Sequence, residues 1–195
     1  MDIRLDGRTA LITGGSLGLG RAMAHRFAEA GAKVAIVARR QEVLDEAKAE
    51  VEAATGGTVG AFACDVRDAA DIAKMYAKAE GELGPIDILV NNAGTSNAKP
   101  FLEVTDAEWQ EDLDLKLFGA IRLARLAMPG MIDRKWGHII NVVSIQAKGP
   151  GAKSVPTSVS RAAGMALTKV LAGEGGPHGV LANAMLVGWY KTDQF

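Results

Sequence analysis

At 195 residues, 48% hydrophobic and 23% charged, the chain has room for one domain with a sizeable buried core. A formal net charge of -1 and the lack of a basic stripe argue against nucleic acid or an anionic membrane surface as partner. The lone cysteine Cys64, a charged rather than apolar start, and no apolar run near the roughly 18 residues a spanning helix needs make a soluble, cytoplasmic protein the expectation.

Along the chain, TALIT (Thr9 to Thr13) reads as a buried strand, and a Gly-rich turn leads into a helix over Arg21 to Ala30, stopped by Gly31. Lys33 to Ala38 is a second strand, and Val43 to Ala54 a helix with Leu44, Ala47 and Val51 on one face. TVGAFA, DIAKMYAKAEGEL and IDILVN continue the alternation as strand, helix and strand. The next helix begins at Thr105, with Glu108 completing a capping box, and runs through Met131. Gly137 to Val143 is a strand, Pro156 to Glu174 a helix, and Val180 to Leu186 a last strand. Alternating strands and helices predict an α/β protein: a doubly wound parallel sheet, or Rossmann fold, in three α/β/α layers, forming a single domain over residues 1–195.

In such a sheet, ligands bind beyond the carboxyl ends of the strands, so the loops there are the informative ones. TGGSLGLG follows the first strand: Gly14 permits the tight turn, Gly18 lets the backbone approach a pyrophosphate, and Gly20 allows helix to pack on strand. With Ser16 and Leu17 these residues lead into a helix N-terminus suited to phosphate. The spacing differs from the commoner G-x-G-x-x-G, and a Gly-rich turn can simply join a strand to a helix.

Asp65-Val66 after the third strand and NNAG (Asn91 to Gly94) after the fourth join T-G-x-x-x-G-x-G at Thr13 to Gly20. The set resembles the short-chain dehydrogenase/reductase family along the whole chain, with the 3-oxoacyl carrier-protein reductases among the similar members. The resemblance implies that Asp65 and Val66 meet the adenine, that Asn92, Ala93 and Gly94 line the cofactor, and that Ser144, at the end of NVVS, polarises a substrate carbonyl. An NAD enzyme places a carboxylate about 20 residues beyond the glycines. Here Ala38 is followed by Arg39 and Arg40, and a guanidinium there can grip a 2'-phosphate, so NADP(H) is expected over NAD(H).

The family carries a tyrosine thirteen residues after the serine and a lysine four further on. Here those positions hold Thr157 and Arg161. A phenol titrates near 10 and an aliphatic alcohol far higher, close to water, a gap of ~8 kcal/mol for the ionised form. Arg161 keeps a positive charge able to bind a ribose or phosphate oxygen, yet is a poor proton shuttle. The family's asparagine seven residues after the tryptophan is here Lys116, either a replacement proton donor or a cation paired with Asp112 along the helix surface. His25, His138 and His178 read as structural, and no metal site is expected.

Near the C-terminus, NAMLVGWYKTD resembles the family segment that reaches the nicotinamide, with Gly188 and Thr192 matching and Val187 in place of proline; Tyr190 could face the pocket. Family members continue through a substrate-covering helix and one more strand, and these are absent from the 195 residues. Two functions follow: an NADP(H)-dependent oxidoreductase acting on a small carbonyl or alcohol with a non-standard proton donor, or an NADP(H)-binding pseudoenzyme. Apolar positions Leu123, Leu126, Leu167 and Leu171, read as exposed, together with the resemblance imply a homodimer or homotetramer.

Overall fold

The computed structural model describes residues 3–188. Six parallel strands, β1 (Thr9–Thr13), β2 (Lys33–Ala38), β3 (Val59–Ala63), β4 (Ile88–Asn91), β6 (Gly137–Ser144) and β8 (Val180–Val187), form one sheet in the order β3-β2-β1-β4-β6-β8. A two-residue antiparallel ladder pairs β5 (Ala98–Lys99) with β7 (Val155–Pro156) beside the sheet's carboxyl edge.

Alternate residues of the buried strands serve opposite cores. Ala10 and Ile12 of β1 and Val34 and Ile36 of β2 pack with Ala24 and Ala28 of α1 (Gly18–Glu29) and with Leu44, Ala47 and Val51 of α2 (Gln41–Thr55). Leu11, Ala35 and Val37 point the other way. They meet Ile72 and Met75 of α3 (Ala69–Leu83), Leu123 and Met131 of α5 (Gly119–Asp133), and Leu171 of α6 (Thr157–Gly175). With both faces covered, the central strands have no polar face, which is why they read as continuous apolar runs. The three-layer α/β/α Rossmann architecture is the one the sequence predicts.

Two expectations need correction. Leu123 and Leu171 are core residues, and Leu167 packs against that core; of the four leucines read as exposed, only Leu126 is. Helical period alone could not separate them, because α5 and α6 carry apolar side chains on more than one side. The helix from Thr105 also changes pitch. After the capping box, α4 (Asp106–Leu113) passes into a π-helical segment, Asp114–Phe118, before α5 resumes. Such segments re-aim the side chains they carry and are frequent at functional sites. Here the segment carries Lys116.

Candidate active site

The strand order reverses between β1, which continues to β2, and β4, on its other side. At the carboxyl ends of these strands lies a cavity of about 690 Å³, the expected place for a ligand in a doubly wound sheet. Gly14, Ser16, Leu17, Gly18, Gly20, Arg39, Asp65, Val66, Asn92, Ala93, Gly94 and Arg161 all line it. Gly188 does not, and Thr192, like Tyr190, lies outside the described residues.

The glycine turn is shaped by close backbone approach. Gly14 has φ of +65°, and a Cβ there would come within 2.9 Å of Asn92 Nδ2; a Cβ at Gly20 would collide with the Gly14 carbonyl oxygen. Asn92 ties the turn to β4 by donating from Nδ2 to the carbonyls of Thr13 and Gly14 at 3.0 and 3.2 Å. Thr13 Oγ1 accepts from the backbone N–H groups of Asn92 and Ala93, both at 3.0 Å. The first turn of α1 contains no acidic residue, so its N-terminus keeps its positive end for an anion. A pyrophosphate fits this cradle, and exposed Arg39 and Arg40 at the end of β2 supply positive charge at the same rim.

Sequence reasoning overlooked Arg67. Its guanidinium donates to both oxygens of Asp65, at 2.6 Å from Nη2 to Oδ2 and at 3.0 Å from Nε to Oδ1, and reaches Glu111 at 2.5 Å through Nη1. The hydrogen bonds from Arg67 hold the Asp65 carboxyl below its ordinary range. A ligand contacting Asp65 therefore shares it with a cation. The signal lay two residues past the Asp65-Val66 motif, where an arginine can fold back on the carboxylate.

Of the candidate catalytic residues, Arg161 lines the cavity, whereas Lys116 and Thr157 join Asp112 and Ser160 in a buried cluster that does not. Lys116 and Asp112 pair with side chains 0% and 2% exposed, so the pair is enclosed rather than spread along the helix surface. Lys116 Nζ also donates to Thr157 Oγ1 at 3.0 Å, and Ser160 Oγ donates to the second Asp112 oxygen at 2.6 Å. Burial pushes the Lys116 ammonium below its ordinary pKa, opposed by the hydrogen bond and charge of Asp112 and assisted weakly by the Arg161 charge. Arg161 donates to the Val142 carbonyl at 2.9 Å and packs against Gly94, where a Cβ would strike its guanidinium. Burial likewise pushes Arg161 down from its ordinary value.

Ser144, half-buried at the end of β6, accepts from Gln146 N at 3.2 Å. Ser144 is the last residue of β6 and Thr157 the first of α6. The histidines lie elsewhere: His25 on α1, His178 in the turn before β8, and His138 at the opposite end of β6, edge-on to Trp136 with ring centroids 4.8 Å apart.

Residues 8–195 match the family described as short chain dehydrogenase. A short chain dehydrogenase from Pseudocercospora fijiensis is 38% identical over 196 residues, covering 97% of this chain and 62% of the relative. A 3-oxoacyl-acyl-carrier-protein reductase from Aquifex aeolicus is 32% identical over 193 residues, covering 99% of this chain and 78% of that protein. The crystal structure of L-sorbose reductase from Gluconobacter frateurii, complexed with NADPH and L-sorbose, superposes with a TM-score of 0.95 at 36% identity, covering 99% of this chain and 73% of the other. The chain thus spans about three fifths of the length of the fungal relative. Fold, glycine turn and cavity agree with these likenesses, and the chain belongs to the short-chain dehydrogenase family.

Proposed function

We propose that the chain acts as an NADP(H)-dependent oxidoreductase on a small carbonyl or alcohol, with Thr157 and Lys116 standing in for the family's tyrosine-centred proton donor. The observation that carries this is the 3.0 Å hydrogen bond from Lys116 Nζ to Thr157 Oγ1. Thr157 Oγ1 accepts a second hydrogen bond, from Asn97 N at 3.1 Å. With two acceptor sites used, the hydroxyl proton is left to donate.

In this reading the turn Gly14–Gly20 and the start of α1 hold the pyrophosphate, and Arg39 holds the 2'-phosphate. Asp65, Val66 and Arg67 line the adenine end, while Asn92, Ala93, Gly94 and Arg161 face the ribose and nicotinamide end. Bound NADP(H) would supply hydride in reduction or accept it in oxidation. Ser144 orients the substrate oxygen. As negative charge develops there, Thr157 gives its hydroxyl proton to that oxygen while a Lys116 proton passes to Thr157 Oγ1, leaving a neutral amine that recovers its proton from solvent. Coupling the two transfers avoids a free threonine alkoxide, ~8 kcal/mol harder to form than a phenolate. Enclosure favours the transfer, since burial already weakens the hold of Lys116 on its proton.

A second reading, an NADP(H)-binding pseudoenzyme, is favoured by the same enclosure: Asp112 holds the ammonium away from the main cavity, which Lys116 does not line. NADPH binding and oxidation by the complete protein across ketones, 3-oxoacyl thioesters and quinones decides between them. Turnover abolished by Lys116→Ala with NADPH affinity retained supports the enzyme; binding without turnover selects the second reading.

Further proposals follow from the surface. Exposed Val159 and Val170 on α6 and Leu126 on α5 form apolar ground for a dimer or tetramer contact. Cys64 is buried, its thiol pushed up to about 12 chiefly by burial, and a reducing cytoplasm suits it.

A further inference from the structure

The buried polar groups beneath the site are linked in an order that fixes their proton positions. The Thr168 hydroxyl donates to the Gly164 carbonyl at 2.7 Å, one turn back in α6, so its oxygen accepts from Asn141 Nδ2 at 2.8 Å. Asn141 therefore turns its Oδ1 toward β4, where it accepts from Asn91 Nδ2 at 2.8 Å. The direction of this chain leaves Asn91 Oδ1 facing away from Asn141. That oxygen is buried and has no partner among the described residues. Reversing the Asn91 amide would set two carbonyl oxygens against each other, so the orphaned acceptor is a consequence of the network.

Lys116 offers the complementary group. Its ammonium carries three N–H bonds, of which Asp112 and Thr157 take two. Lys116 and Asn91 line one small cavity of about 10 Å³, enclosed further by Leu115, Ala120 and Leu123. That is close to the space of a single water probe, and a buried water is stable where at least two polar partners meet it. Thr13, the other polar side chain on the wall, is already committed: it donates to the Val90 carbonyl at 3.4 Å and accepts from two backbone N–H groups.

We propose that this cavity holds one water molecule that accepts from Lys116 Nζ and donates to Asn91 Oδ1, making Asn91 a positioning residue for the Lys116 ammonium. The water satisfies an oxygen and an N–H that otherwise lack partners, and it gives the ammonium a third direction of restraint. The groups facing Lys116 are then Asp112 from α4, Thr157 and the Arg161 charge from α6, and the water on Asn91 from β4. An acceptor on the ammonium favours its charged form, so losing the water lets Lys116 deprotonate at lower pH. The significance for catalysis rests on the proton-donor role proposed for Lys116; the existence of the water does not.

The test is side-chain nitrogen NMR of the full chain, with the Lys116 signal assigned by its loss in Lys116→Met. The native protein is expected to show a long-lived water contact at the Lys116 Nζ protons. Asn91→Leu removes the acceptor and fills the space. Ala120→Val fills the space while leaving the amide chain intact, and decides the matter if Asn91→Leu does not fold. Each is expected to remove the water contact and lower the Lys116 titration midpoint by about one unit, the size of one hydrogen bond to a charged group. No water contact in the native protein, or a midpoint unmoved in Ala120→Val after the contact is lost, overturns the proposal. NADPH oxidation measured on the same samples separates the two questions: absent native turnover refutes the catalytic reading and leaves the NMR result to decide on the water.

Discussion

Removing Asp112 probes the enclosed cluster directly. In Asp112→Ala the Lys116 ammonium keeps only Thr157 as a protein acceptor, and Ser160, which gives its proton to Asp112 at 2.6 Å, is left to turn toward the Thr157 carbonyl at 3.1 Å. Breaking a fully buried pair by deleting one partner costs about 3–5 kcal/mol. For a domain of this length that corresponds to a fall of roughly 6–20 °C in Tm. The loss also has a predicted pH dependence. Burial already depresses the folded pKa of Lys116 below its ordinary value, and without Asp112 it falls further. Between that depressed pKa and the unfolded value near ~10.4 the unfolded chain binds more protons, so stability rises with pH there. Urea unfolding at pH 7 and pH 10 should therefore show a deficit against the native protein that narrows at the higher pH. Asp112→Leu with Lys116→Met replaces both charges and should recover stability to within about 1 kcal/mol of the native protein. A single-substitution loss below about 1 kcal/mol, a deficit independent of pH, or a double variant weaker than Asp112→Ala would each refute the reasoning.

Arg39→Asp should narrow or reverse the preference for NADPH over NADH, measured as the ratio of dissociation constants; equal constants in the native protein would remove the basis for that role. Thr157→Tyr with Arg161→Lys should raise turnover of a simple ketone above that of either single change, and make it independent of Lys116; normal NADPH binding with no added turnover would show that the substrate side has diverged as well. Gly20→Ala should weaken nucleotide binding at least tenfold by isothermal titration, because the added Cβ meets the Gly14 carbonyl and must open the turn. Light scattering at micromolar concentration should give a dimer or tetramer that Val170→Asp dissociates, whereas a monomeric native mass would exclude the contact proposed on α6.

What could be read from the sequence follows from where the determining interactions are. β1 and β2 were legible to the residue, since each holds a short apolar run, closed by Gly14 in β1 and by Arg39 and Arg40 in β2, that is buried on both faces. The Thr105 capping box is local chemistry and appears as expected. The pairing of Ala98–Lys99 with Val155–Pro156 depends on two distant loops meeting, and two-residue strands have no period to detect. The π-helical turn was equally hidden: Asp114 to Phe118 have ordinary helical composition, and nothing local marks the change in pitch. The residue types of the candidate site were visible, because glycines and paired asparagines at strand ends are restricted to few roles, but the enclosure of Lys116 was not.

That division has a physical origin that bears on how such a site can change. The main cavity is built largely from main chain: the Gly14 turn, the start of α1 and the Asn92–Gly94 loop, joined by hydrogen bonds that Thr13 accepts and Asn92 donates. Most side-chain substitutions leave such a cradle standing. The Lys116 cluster is built from side chains, with Lys116, Asp112, Ser160 and Thr157 each satisfied by another. Placing an ammonium at position 116 requires an acceptor within reach, and Asp112 one turn earlier supplies it; the charged carboxylate in turn is met by Ser160. A shorter hydroxyl at position 157 suits the same arrangement, since Thr157 Oγ1 lies at hydrogen-bond distance from Lys116 Nζ. The four residues are thus expected to be coupled, and substitutions among them to be non-additive. Lys116→Asn alone would strip Asp112 of its counter-ion inside the protein, and so should be more damaging than Lys116→Asn combined with Asp112→Leu, while nucleotide affinity stays close to native in both.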